Sequence, residues 1–130
     1  ANVLFSAAKS NGAIRLLLRR LHAAGHTLVA DSYVVAEARR NLLAKGPEAL
    51  GALEEVLLLV ELSAFRPVHL PQGVAARVPE KDRPVLSAAI HLHCNALVTG
   101  DRTHFGALYG TVLLGAAVHS PKSLAESLNL

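Results

Sequence analysis

The sequence predicts an α/β fold: a central, mainly parallel sheet with helices on both faces, built as one domain over residues 1–130. Three observations predict it. Short apolar runs of strand type alternate with longer segments of helical period, and strand–helix–strand order calls for crossovers between parallel strands. Apolar residues make up 52% of the chain and aromatics only 4%, so the core is packed from Leu, Val and Ala rather than left disordered. No repeat, low-complexity segment or linker interrupts the alternation.

Taken in order, Asn2-Val3-Leu4-Phe5 reads as the tail of a buried strand that began before Ala1. Because the chain has no Met, Ala1 does not read as an initiator. Gly12 to Ala24 reads as a helix: Ile14, Leu17, Leu18 and Leu21 fall on one face, and Gly25 is a natural stop. Thr27-Leu28-Val29-Ala30 is a short strand. Asp31 or Ser32 caps a helix that runs to about Lys45 and is closed by Gly46-Pro47.

A third helix is expected from about Glu48 to Leu62. It is apolar on nearly every side, so either the core or a second copy of the chain covers Leu50, Leu53, Leu57 and Val60, and a homodimer is one expectation. Arg66 to Leu70 reads as an edge strand or extended link, because Pro67 rules out a central position. Lys81 to Cys94 is a helix with Val85, Ala89 and Leu92 along one side. Ala96-Leu97-Val98-Thr99 is a buried strand closed by Gly100-Asp101. Ala116 to His119 is the last strand, and Ser120 with Pro121 starts a final helix.

Several function classes drop out. The richest apolar stretch, Val56 to Phe65, is interrupted by Glu61 and is too short to span a bilayer, so no membrane is expected as a partner. No secretory signal pattern opens the chain. A single Cys94 makes no internal disulfide, which fits a reducing cytoplasm. There is no G-x-G-x-x-G, no P-loop, no G-x-S-x-G elbow and no H-E-x-x-H. The net charge of +3 and pI near 9.4 are compatible with a nucleic-acid partner.

Ligands of open α/β sheets bind beyond the carboxyl ends of the strands. Asp31 and Asp101 each follow a strand there, Asp82 begins the helix that feeds the Asp101 strand, and Glu37 sits in a helix among Val34, Val35, Ala36 and Ala38. Each has a bland reading. Asp31 reads as an N-cap and is set aside as one; Asp82 reads equally as an N-cap; Asp101 makes a turn; Glu37 pairs with Arg40 or Asn41. The cluster His91-x-His93-Cys94 suggests zinc, but positions i and i+2 point apart on a helix and no second ligand pair accompanies them.

Four segments in order resemble one family. Leu97-Val98-Thr99-Gly100-Asp101-Arg102-Thr103-His104-Phe105 resembles the T-x-D-x-x-x-F segment of the PIN-domain nucleases. Asp82-Arg83-Pro84-Val85-Leu86-Ser87-Ala88-Ala89 resembles their D-x-x-[VI]-L-x-A-A helix start. Val34-Val35-Ala36-Glu37 resembles the stretch around their helix-borne Glu. Ala1 to Ser6 resembles the residues after the first Asp of their D-x-N-V-L-x-S pattern.

The resemblance implies a three-layer PIN-like fold whose first strand is truncated in this chain. It implies a carboxylate site of Glu37, Asp82 and Asp101 holding Mg²⁺ or Mn²⁺ and hydrolysing RNA, with Asn2, Ser6, Thr99, Arg102 and His104 around it or against substrate. Hard oxygen ligands suit those ions, and the ion relieves repulsion between the carboxylates. Small stand-alone members are commonly toxins of toxin–antitoxin pairs, which implies an antitoxin partner. A housekeeping RNA-processing nuclease and a non-catalytic PIN-like RNA- or protein-binding module are the alternatives. The chain departs from the family at two places. The leading Asp would fall just before Ala1, outside this chain, and His104 stands where many members carry another acid.

Lys81, Arg83 and Arg102 flank the acids as expected phosphate contacts. Arg15, Arg19, Arg20, Arg39 and Arg40 would add a diffuse basic patch. With so few aromatics, no platform for stacking bases is expected.

Overall fold

The computed structural model describes residues 1–65 and 69–130. It is a mixed α/β chain with small parallel sheets, and it divides into two compact units, Ala1–Ala64 with Ala125–Leu130, and Phe65–Leu124.

The first unit opens on α1 (Asn2–Lys9), not on a strand. Leu4, Ala7 and Ala8 are buried at i, i+3 and i+4, which is a helical face. A four-residue apolar run does not separate strand from helix, and the Ala-rich continuation with this spacing selects the helix. The Arg15 guanidinium donates to the Ala7 and Ala8 carbonyls at 2.7 and 3.0 Å, closing the end of α1. Arg15 is therefore a helix cap rather than part of an open basic patch. Helix α2 (Ala13–Ala23) buries Leu17, Leu18 and Leu21 as its pattern requires. It stops at Gly25, whose φ of +89° is a left-handed conformation that favours glycine.

Strand β1 (Leu28–Asp31) leads into α3 (Ser32–Lys45), whose bounds match the sequence reading. The expected long helix after it is cut short. A 3₁₀ turn (Pro47–Ala49) leads into α4 (Leu50–Leu57), and the chain then forms β2 (Val60–Ser63), parallel to β1 with Leu28 opposite Val60 and Asp31 opposite Ser63. An apolar run without period is ambiguous locally, and the unpaired backbone of β1 supplies the reason for a strand. Leu53, Val56 and Leu57 are buried within the chain, so much of the expected dimer face is absorbed by its own core. Arg39 is engaged by Glu54 at 2.7 Å on the exposed side.

In the second unit, residues 66–68 of the expected edge strand lie outside the described residues, and His69-Leu70 is not a strand. A short helix α5 (Gln72–Ala75) and a 3₁₀ turn (Glu80–Asp82) precede α6 (Arg83–His91). Strand β3 (Ala96–Val98) is followed by α7 (Arg102–Phe105), β4 (Val112–Leu113) and β5 (Ala116–His119), and α8 (Pro121–Ser127) starts on the expected proline. The sheet order is β3-β5-β4: β3 pairs parallel with β5, and β4 pairs antiparallel with it. Leu86, Leu97, Phe105, Leu113 and Val118 form the centre of this unit's core.

Among the described residues, no helix is long and apolar enough to cross a membrane.

Candidate metal centre

Among the described residues, the carboxyl end of β3 carries a hydrogen-bonded polar cluster. Thr99, buried just past the strand, is held by its backbone N–H donating to the His119 carbonyl at 3.0 Å. Its own carbonyl accepts the Tyr109 hydroxyl at 2.7 Å. The Thr99 hydroxyl in turn accepts the Asp101 N–H at 3.1 Å, so it turns the chain and aims Asp101. The hydroxyl expected near the site is thus a positioning group.

Asp101 caps α7: its Oδ1 accepts the His104 N–H at 3.1 Å, and the turn predicted as its bland role is real. Its Oδ2 has a second task, lying 2.7 Å from His104 Nδ1. Phe105, next in sequence, is buried in the core and pins this short helix in place.

Asp82 arrives from a different element. It ends the 3₁₀ turn and occupies the N-cap position of α6, yet its side chain makes no capping hydrogen bond. Two features brace the junction. The Asp82 N–H donates to the Pro79 carbonyl at 2.9 Å, and Arg83 Nε donates to the Ala75 and Val78 carbonyls at 2.9 and 3.2 Å. Arg83 Nε is therefore committed to backbone, which leaves its Nη groups for other contacts.

Asp82 Oδ2 lies 3.0 Å from the same His104 Nδ1. An ionised carboxylate only accepts, and the Asp101 carboxyl is held ionised, so the 2.7 Å contact is made by an Nδ1–H donating to Asp101 Oδ2. Asp82 Oδ2 is buried and receives no hydrogen bond from the described residues. An orphaned buried acceptor costs about 1–3 kcal/mol, and more when charged. A cation between the two carboxylates removes that cost.

Asp82, Asp101 and His104 each offer a ligand atom, all within 4.8 Å of one another, and could hold a metal ion. Their side chains are 18%, 26% and 26% exposed, enough to admit water and a solute while still thinning the solvent around the charges. Burial raises the Asp101 pKa, but hydrogen bonds from His104 and the charges of His104 and Lys81 outweigh it and hold the carboxyl below its ordinary value. Burial raises the pKa of the Tyr109 hydroxyl; Arg102 opposes this and Asp101 adds to it.

The chain matches no family model, no curated protein and no solved structure. The site's chemistry therefore rests on its own geometry.

The other predicted residues have definite places. Glu37 is half-buried on α3 of the first unit, whereas the three donors that converge lie in the second unit. It makes no ion pair with Arg40 or hydrogen bond with Asn41 among the described residues, so its bland pairing is not realised. Its charge and that of Asp31 act on the nitrogen of Ala1. Asn2 and Ser6 are exposed on α1, and Arg102 and Lys81 are exposed beside the second unit's cluster.

Asp31 caps α3 as predicted, its Oδ1 accepting the Val34 N–H at 2.9 Å. Its Oδ2, however, is buried and unpartnered among the described residues. Among the described residues, His91, His93 and Cys94 form no ligand cluster: α6 ends at His91, and His93 has a positive φ.

Two residues matter more at this site than the sequence suggests. His104 is a member of the cluster rather than a bystander, and the available signal is its i+3 spacing from Asp101 on a short helix. Tyr109 carries no sequence signal, because its contact with Thr99 depends on the turn after α7.

Proposed function

We propose that the chain is a metal-dependent ribonuclease of PIN-like three-layer architecture that hydrolyses RNA phosphodiester bonds at the carboxyl end of β3. One observation carries the reading: Asp82 and Asp101, from separate elements, aim carboxylate oxygens at one point, and one of those oxygens is buried without a hydrogen bond among the described residues. The four motif-like segments of the sequence add to it. A divalent ion held there supplies positive charge beside a phosphate and acidifies a water molecule.

The chain's own residues do the rest. Lys81 and Arg102, both exposed, attract and orient the phosphate backbone. Thr99 and His104 hold Asp101 in its ionised, outward-aimed state. Tyr109 locks the turn that carries Thr99 and Asp101. The proposed ion is Mg²⁺ or Mn²⁺, and the proposed setting is the toxin of a toxin–antitoxin pair, with an antitoxin segment covering the acidic end of β3.

The test is cleavage of single-stranded RNA by the purified chain with Mg²⁺, with Mn²⁺ and with chelator. Cleavage that needs the ion and is lost in Asp82→Asn and in Asp101→Asn supports the reading. Glu37→Gln tests separately whether the helix-borne acid takes part. Cleavage that survives both Asp substitutions, or no cleavage with any divalent ion, overturns it.

A further inference from the structure

We infer that His104 is a metal ligand through Nδ1, and that it tunes the centre toward divalent first-row transition ions, Mn²⁺ among them, over Mg²⁺. The inference rests on reading the cluster as a metal centre, but not on the nuclease activity proposed for it.

Nδ1 stands 2.7 Å from Asp101 Oδ2 and 3.0 Å from Asp82 Oδ2. Ligands about 2.1 Å from an ion in octahedral geometry stand roughly 3 Å apart along each edge. Nδ1 is therefore already spaced from each oxygen as a neighbouring ligand, and the two oxygens lie within 4.8 Å of each other. Asp82 Oδ2, buried and without a hydrogen bond among the described residues, is a second sign that a positive centre is wanted at this point.

The donor set selects the ion. Mg²⁺ is held by oxygen donors and gives up its waters reluctantly. Imidazole nitrogen is a better donor to first-row transition ions, whose affinity for mixed N,O sites rises along the series from Mn²⁺. Without an ion, the Nδ1 hydrogen is directed to Asp101 Oδ2. With an ion, Nδ1 gives up its hydrogen and presents its lone pair: a neutral ring moves that hydrogen to Nε2, and a protonated ring releases it to solvent. Asp101 Oδ1 continues to cap α7 through the His104 N–H, so the helix that carries the ring stays formed.

The experiment uses the full chain without RNA. Mn²⁺ binding is followed by loss of the free-ion electron paramagnetic resonance signal, Mg²⁺ is measured by competition, and pulsed spectra report ¹⁴N coupling to bound Mn²⁺. The wild type should prefer Mn²⁺ by about tenfold or more and show nitrogen coupling. His104→Asp, an all-oxygen set, should lose the coupling and narrow the preference to within about threefold. His104→Ala should weaken Mn²⁺ binding about tenfold to a hundredfold.

Absence of nitrogen coupling in the wild type overturns the inference and needs no variant to fold. The same Mn²⁺-to-Mg²⁺ ratio in wild type and His104→Asp overturns it as well. A protein that binds Mn²⁺ through His104 and cleaves no RNA keeps this inference and removes the nuclease reading. One that cleaves RNA with Mg²⁺ alike in wild type and His104→Ala does the reverse.

Discussion

Asp31 and Asp101 occupy the same structural position in the two units. Each stands at the carboxyl end of a strand that pairs in parallel, and each caps the next helix by accepting an N–H three residues on, from Val34 and from His104. They differ in the second oxygen. Asp31 is buried at 3% exposure, and its Oδ2 has no partner among the described residues. Asp101 is partly exposed, and its Oδ2 meets an imidazole shared with a second carboxylate. A capping role uses one oxygen and leaves the other to its surroundings. Finding a cap therefore does not retire a carboxylate from chemistry.

The comparison breaks most sharply at Asp101. Asp101→Asn keeps an acceptor for the His104 N–H but removes the charge, so the helix should persist while divalent-ion affinity falls by roughly a hundredfold, read by calorimetric titration. Equal ion affinity in the wild type and this variant would show that Asp101 is a cap and nothing more.

Asp31 separates the same two roles through stability. Asp31→Ala should cost about 1 kcal/mol in urea unfolding, the usual loss for an N-cap. Asp31→Ser keeps a capping oxygen and deletes the orphaned one, so it should lie within about 0.5 kcal/mol of the wild type or above it. A Ser variant as unstable as the Ala variant would mean that the second oxygen of Asp31 is itself held by something, and would bring that residue back among the candidate ligands.

A smaller effect is expected with acid. The Asp101 pKa is lowered below its ordinary 3.8 in the folded chain, so its ionised form stabilises the fold above that value. The contribution is lost as pH falls from about 4 through the lower folded pKa. Melting temperatures between pH 6 and pH 2 should fall more steeply for the wild type than for Asp101→Asn. Parallel curves would mean that Asp101 is not held ionised by its neighbours.

The smallest effect concerns Cys94, which is half-buried and whose thiol pKa burial raises. Alkylation by iodoacetamide at pH 8 should run slower than for a free thiol and speed up in urea.

Much of the chain was legible from its residues. The bounds of α3 followed from a capping Asp and a closing Gly-Pro, and α2 from the spacing of its leucines, because caps and period are local signals. The strand character of β2 and the helical character of α1 were not legible. Both are short apolar segments, where helix and strand patterns coincide and the neighbouring backbone decides. At the centre, Asp82 and Asp101 were found from their motif-like settings. The place of His104 inside the cluster, the brace made by Arg83 and the lock made by Tyr109 were not, since each is a contact between elements that the sequence does not bring together.

The residues alone specified the α/β alternation, the caps and the identity of two acids that chemistry would want, all properties with a range of a few positions along the chain. Tertiary structure decided which oxygen of each acid is left over and what it faces. Convergence of Asp82 on the Asp101–His104 pair brings together residues from different elements through the packing of α6 and α7 on one core, and no local pattern encodes that distance.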